Sequence, residues 1–530
     1  MRFDFMNKVI LLIRLRIGFA LVCAGIVAGC AAPAPSAPHP AGNGTHAESR
    51  PEQLRWLNRV TWGASPAAAN ALAGLGIERF LDQQLRPVPQ ASLPPGAQEQ
   101  IAAMTISQKP LDQLVFGLEQ QRKEADANTD DEKKKAAQQA YQQELNRIAR
   151  EAATRSLLRA LYSPAQLQEQ MTWFWMNHFN VHQNKNNIRI LIGDYEEHAI
   201  RAHALGRFRD LLGATAHHSA MLRYLDNEQN AAGHINENYA RELMELHTLG
   251  VNGGYAQADV QELARILTGV GVNMNPDAKP PNLKPQLQGQ YVRSGLFEFN
   301  PNRHDYGDKM FLGRPVKGRG LAEVDEALDR LARHPSTARF ISHKLAVYFV
   351  ADDPPPQLVD RMAQTFQASG GDIAATLRSM FKSPEFMRSL GGKFKDPTQY
   401  VVSAVRLAYD DKPILNAGPM LNWLNRMGEP LYAHATPDGY SMTQSAWASS
   451  GQMTTRFEVA KAIGTGSAGL FKSDGPQPQE RAAFPQLANA LYYQALQDTL
   501  GDATRKALDQ ANSPQEWNMY LLASPEFMNR

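Results

Sequence analysis

NENYARELMELHTLGVNGGY, residues 236–255, reads as a helix. Tyr239, Leu243 and Leu246 recur at steps of four and three, which places them on one apolar stripe, while Asn238, Glu242 and Glu245 at i, i+4 and i+7 share another face with Arg241 beside them. Gly250 is the residue type that ends helices, so the spacing predicts a helix up to that point. The same three- and four-residue recurrence of Leu, Ala, Met and Arg continues outward in both directions from about Pro51, with few alternating β-branched runs. The expected fold is mainly α: a large multi-helix globular domain, long enough to divide into two lobes.

A few stretches break the pattern. Residues 119–155 are dense in charge, Ala and Gln, and are expected to form a broken, projecting pair of helices with a solvated face. Residues 271–290 hold Pro276, Pro280, Pro281 and Pro285 and are expected to form a loop. The stretch LFEFNPNRHDYGDKMFLG (296–313) has two apolar ends around a polar turn, the pattern of a small β-hairpin insertion. Ser163-Pro164, Ser383-Pro384 and Ser524-Pro525 each carry a helix-start signal, Ser as cap and Pro in the first turn.

The N-terminus has Arg2, Lys8, Arg14 and Arg16 around a short apolar run (Ile17–Val27), followed by Val27-Ala28-Gly29-Cys30. That run is too short for a permanent span, and small residues before a cysteine are the pattern of a lipoprotein signal peptide. Residues 1–29 are therefore expected to be removed and Cys30 to carry lipid. Residues 31 to about 50, rich in Ala, Pro and Gly, would be a flexible tether to the 51–530 domain. Ala31 implies outer-membrane sorting, so the expected location is the bacterial cell envelope. The only other cysteine, Cys23, lies in the leader, which excludes a disulfide or catalytic thiol from the domain. The formal charge of +2 falls to about −1 once the leader, with four basic residues and Asp4, is gone. With both signs interspersed there is no basic stripe, and no nucleic acid is expected as a partner.

Several stretches together resemble one bacterial family, the domain of unknown function 1800, over nearly the whole chain from about Leu54. They include LNRVTWGASP (57–66), WFWMNHFNV (173–181), DYEEHAIRAHALGRFRDLL (194–212), MLRYLDN (221–227), the 236–255 stretch, DVQELARILTG (259–269), HDYGDKMFLG (304–313) and FVADDPP (349–355). The resemblance implies an exported protein and an exported partner protein; it implies no reaction.

For chemistry the residues themselves nominate Glu242, Glu245, His178 and His304 as acids and bases, because carboxylates and imidazoles at segment ends can trade protons. Arg201, Arg241, Asn238 and Asp305 are nominated to bind substrate. The plainer reading of the same helix is a Glu237–Arg241–Glu245 ladder facing water. His178 and His182 have a spacing that can share a metal on a helix, and carboxylates suit a hard divalent cation, yet neither His-Glu-x-x-His nor Glu-x-x-His occurs in these stretches. No cofactor is firmly implied. A Gly-x-Ser-x-Gly elbow and a phosphate-cradling loop are absent. Two functions stay open: a hydrolase-like Glu/His acid–base enzyme of the envelope, or a non-enzymatic binding or assembly lipoprotein acting with an exported partner.

Overall fold

The computed structural model describes residues 49–87, 92–275, 277–472 and 484–530. The leader, Cys30 and nearly all of the expected tether lie outside them. The first helix, Arg50–Val60, starts where the Glu52 carboxylate accepts the Ser49 amide at 3.0 Å, satisfying a donor that the first turn leaves open. From there helices dominate to the end of the chain. Residues 48–530 cluster as one unit, so the length that allows two lobes is used for one continuous core. Trp56, Trp175, Tyr195 and Phe208 are fully buried within it. Each such side chain contributes roughly 1.5–3 kcal/mol relative to exposure. No helix among the described residues is long and apolar enough to cross a membrane.

The charged stretch forms parts of two helices, Leu111–Ala127 and Asp131–Tyr162, which pack on each other. The chain restarts at Asp130, whose carboxylate accepts the amides of Glu132 and Lys133 at 3.1 and 3.0 Å. The first turns of the longer helix stand in solvent; from Tyr141 on, Leu145, Ile148, Leu157 and Leu158 enter the core.

Among the described residues five short strands make two sheets: β1 (Val270–Val272), β2 (Val292–Ser294), β3 (Phe297–Phe299), β4 (Lys309–Phe311) and β5 (Arg314–Val316). Strands do form at both ends of 296–313, but they do not pair with each other. The β3 strand lies between β1 and β2, with Phe299 opposite both Val270 and Val292, and β4 pairs with β5. Turn geometry decides this. Leu312 and Gly313 both have positive φ (+49° and +70°), the two-residue turn that matches strand twist, and the Leu312 amide is fastened to Asp259 at 2.8 Å. The 271–290 stretch is likewise not all loop: Gly271 and Val272 belong to β1, and Pro285 opens a 3₁₀ turn to Gln290. Of the Ser-Pro signals, Ser383 caps the Pro384–Ser389 helix, whereas Ser524 caps only a turn that delivers Asn529 to a bridge with Phe394.

Candidate functional site

The decisive helix is shorter than its spacing predicts. It runs Asn238–Glu245, and the chain then widens, with His247 N–H donating to the Glu242 carbonyl (3.1 Å) and Leu249 N–H to that of Met244 (2.8 Å). Gly250, at φ +79°, closes the turn where a Cβ would stand 2.9 Å from the Phe340 ring. The widening half-exposes Leu246 and carries His247 fully inside. Arg241 joins Glu237 at 3.0 Å and Glu245 at 3.5 Å and bonds Gln257 at 2.9 Å, so the ladder forms and occupies two of the nominated residues. Asn238 donates to the Leu225 carbonyl at 3.1 Å. The Glu242 carboxylate, half-buried, has no hydrogen bond or ion pair among the described residues. Burial pushes its carboxyl up, Glu245 and Asp438 push the same way, and Arg241 opposes them.

His178 is the last residue of the Gln166–His178 helix, so its spacing to His182 does not put the two rings on one helical face. Its Nε2 faces the His247 carbonyl at 3.1 Å. Its Nδ1 and both ring nitrogens of His247 are buried without a partner among the described residues. Burial, and then the nearby Lys344, hold both imidazoles neutral; His247 is pulled down to about 3. Lys344, on the Pro335–Phe349 helix, likewise makes no hydrogen bond or ion pair among the described residues and lies 5.6 Å from the Phe340 ring centre. Burial pulls its ammonium down to about 8 against the pull of Asp438.

Asp438 reaches this place because two amides beside His178 clamp its loop. Asn177 donates to the Tyr440 carbonyl (2.9 Å) and accepts its amide (2.6 Å), while Asn180 donates to the carbonyls of His434 (3.0 Å) and Thr436 (2.8 Å). Gly439 is required: at φ +77° a Cβ would sit 2.1 Å from the Asn177 carbonyl. Asp438 is thereby brought within electrostatic reach of Glu242, Tyr224 and Lys344.

The other nominated residues belong elsewhere. Arg201 pairs with Glu169 at 2.8 Å and lies 3.7 Å from Glu197. His304 is sealed between Thr268 (2.8 Å to its carbonyl) and Glu323 (2.9 Å), and Asp305 is held by Arg265 at 2.8 Å. Among the described residues no hydrogen bond or ion pair joins Glu242 or Glu245 to His178, Arg201 or His304. The nominated residues fall into separate networks: Glu245 with Arg241, Arg201 with Glu169, Asp305 with Arg265 and His304 with Glu323, while the Glu242 carboxylate joins none of them. Lys344, His247 and Asp438 went unnominated; the Pro437-Asp438-Gly439 turn and the asparagines flanking His178 were the available signals. Among the described residues no group of three or more His, Cys, Asp or Glu is arranged to hold a metal ion. Here a carboxyl is raised and an ammonium lowered, the two shifts that bring proton donors and acceptors toward neutral pH.

Comparison with curated proteins and with solved structures finds no match. The family model described as "Protein of unknown function (DUF1800)" matches residues 55–529, and the chain belongs to that family.

Proposed function

We propose that the protein is an envelope lipoprotein, anchored through Cys30 in the outer membrane, whose helical domain performs hydrolase-like acid–base chemistry at Glu242 and Lys344. His178 and His247 lend polar ring edges to the site, and Asp438 tunes it. One observation carries this reading: among the described residues the Glu242 carboxylate and the Lys344 ammonium are kept without hydrogen-bond partners while the side chains of Arg241, Glu245, Arg201 and His304 are all engaged. Partly buried charge without a partner is costly and is kept where it serves chemistry.

Glu242→Gln is expected to remove function, by about 10²–10⁴-fold if the carboxyl transfers a proton, while the melting temperature stays level or rises. Complementation of a deletion strain, read beside thermal unfolding, checks it; a folded variant that complements fully would refute the role. Lys344→Met adds a pH signature. Between its folded value near 8 and its ordinary 10.5 the unfolded chain binds the extra proton, so this group makes stability rise with pH across that window, and the variant should lose that rise.

A binding or assembly role with an exported partner is the second reading, favoured by the closed networks around Arg201 and His304, which fix helix packing rather than meet a substrate. Both readings share the anchor. Cys30→Ser should abolish fatty-acid labelling and leave unprocessed protein, because acylation needs the thiol; persistent labelling would overturn it.

A further inference from the structure

Away from Glu242 and Lys344, a cavity of about 200 Å³ opens between the first helix and the C-terminal segment, lined by Arg55, Lys395, Arg530 and Glu526 and by apolar side chains. At about 30 Å³ per water it has room for several, so it is large enough for a small molecule rather than a single ion. Three cationic side chains and one carboxylate line it. Glu526 already accepts the Gly501 amide (2.8 Å) and the Thr504 hydroxyl (2.7 Å).

Lys395 is only 2 % exposed, yet its ammonium makes no hydrogen bond or ion pair among the described residues; it rests 3.7 Å from the centre of the Phe527 ring. Arg530 donates through its two terminal nitrogens to Gln170 (3.0 Å) and Tyr348 (2.9 Å), which leaves its buried Nε without an acceptor. The Arg55 guanidinium has no hydrogen bond among the described residues either. Burial, with Arg456 and Arg530 nearby, disfavours the Lys395 ammonium. An incoming anion would supply what these donors lack. Leu496, Leu500 and Phe527 add apolar lining.

We propose that this cavity binds a small organic acid, its carboxylate against the Lys395 ammonium and the Arg55 guanidinium and its short apolar body against Leu496, Leu500 and Phe527. The buried Lys395 and the partly exposed Arg55 select the anion, and the apolar lining selects its body.

Calorimetric titration of the purified protein with octanoate tests it. Octanoate should bind, and octanol, with the same body and no charge, should bind at least about tenfold more weakly, the factor that a charge-assisted hydrogen bond contributes. Lys395→Met should lose octanoate by a similar factor while melting at or above the parent temperature, since a buried unpaired ammonium has been removed. Leu496→Trp, at the partly buried rim, should fill the cavity and block binding should Lys395→Met not fold. Glu242→Gln should leave octanoate affinity unchanged, which separates this site from the one above. No octanoate binding at millimolar concentration, equal binding of octanol, or undiminished binding by Lys395→Met or Leu496→Trp would each overturn the assignment.

Discussion

Glu323→Ala is expected to lower stability by about 3–5 kcal/mol, the range for breaking a buried ion pair from one side. Neither Glu323 nor its partners His304 and Lys309 expose any side-chain surface. One carboxylate oxygen accepts His304 Nε2 (2.9 Å) and the amides of Arg319 (2.6 Å) and Gly320 (2.9 Å); the other accepts Lys309 Nζ at 2.5 Å. Alanine leaves the Lys309 ammonium buried with the Asp305 carbonyl as its one remaining acceptor. Adding Lys309→Met to Glu323→Ala should therefore restore much of the loss, which distinguishes a stranded charge from a simple cavity. The pH dependence has a definite sign. Burial alone pushes the Glu323 carboxyl up, but the hydrogen bonds from His304, Lys309 and Arg319 bring it below its ordinary 4.5. Its stabilisation is thus complete above 4.5 and is lost as pH falls through the lower folded value. Denaturant unfolding of the single and double variants decides: a single variant within about 1 kcal/mol of the parent would show that this network behaves as an exposed pair.

Periodicity made the helices legible, because a 3.6-residue repeat is a local property that burial only confirms. Strand pairing was less so. Phe297–Phe299 and Lys309–Phe311 both alternate correctly, but their partners were chosen by the Gly295 and Leu312-Gly313 turns and by Val270–Val272, more than twenty residues upstream of β3. At the site, Glu242 was visible as a carboxylate on a helix face, and so was its competitor, the Glu237–Arg241–Glu245 ladder. Lys344 was not visible: in PSTARFISHKLAVYF it has the spacing of any lysine on an amphipathic helix, and only its burial beside the Phe340 ring, within electrostatic reach of His178 and His247, makes it unusual. Asp438 reads as a turn residue until Asn177 and Asn180 fasten its loop beside the 178 end of its helix. Long-range burial, which sequence spacing does not encode, is what shifts the acidity of these groups. The same holds for Glu323, a helix-start residue in LAEVDEALDRLAR whose partners come from β4 and the turn before it.

Replacing Arg59 tests how the Lys344 helix is held. Arg59 lies on the Arg50–Val60 helix and is fully buried. One terminal nitrogen donates to the carbonyls of Phe349 (2.6 Å) and Val350 (3.2 Å) and to the Ser389 hydroxyl (3.0 Å); the other donates to the Ser389 carbonyl (2.6 Å) and the main-chain oxygen of Arg530. Phe349 ends the Pro335–Phe349 helix, whose last carbonyls have no partner within the helix, so a guanidinium from another segment completes that end. Two effects oppose each other. Burial and the like charge of Arg530 disfavour the Arg59 cation, so removing it relieves some strain. Against that, Arg59→Met strands the Phe349 and Val350 carbonyls at about 1–3 kcal/mol each, while the Ser389 carbonyl keeps the Gly392 amide and the Arg530 oxygen keeps the Lys393 amide; the second effect wins, and the expected net loss is about 2–4 kcal/mol. Arg59→Lys should recover little, because one ammonium cannot span the two sides that a planar fork reaches. Hydrogen exchange adds a local readout. In Arg59→Lys the amides of the last turn before Phe349 should exchange faster than those near Pro335, since the loss falls first on the end that Arg59 completes. Uniform exchange along the helix, or a lysine variant as stable as the parent, would mean that the Lys344 helix is held by its apolar face alone.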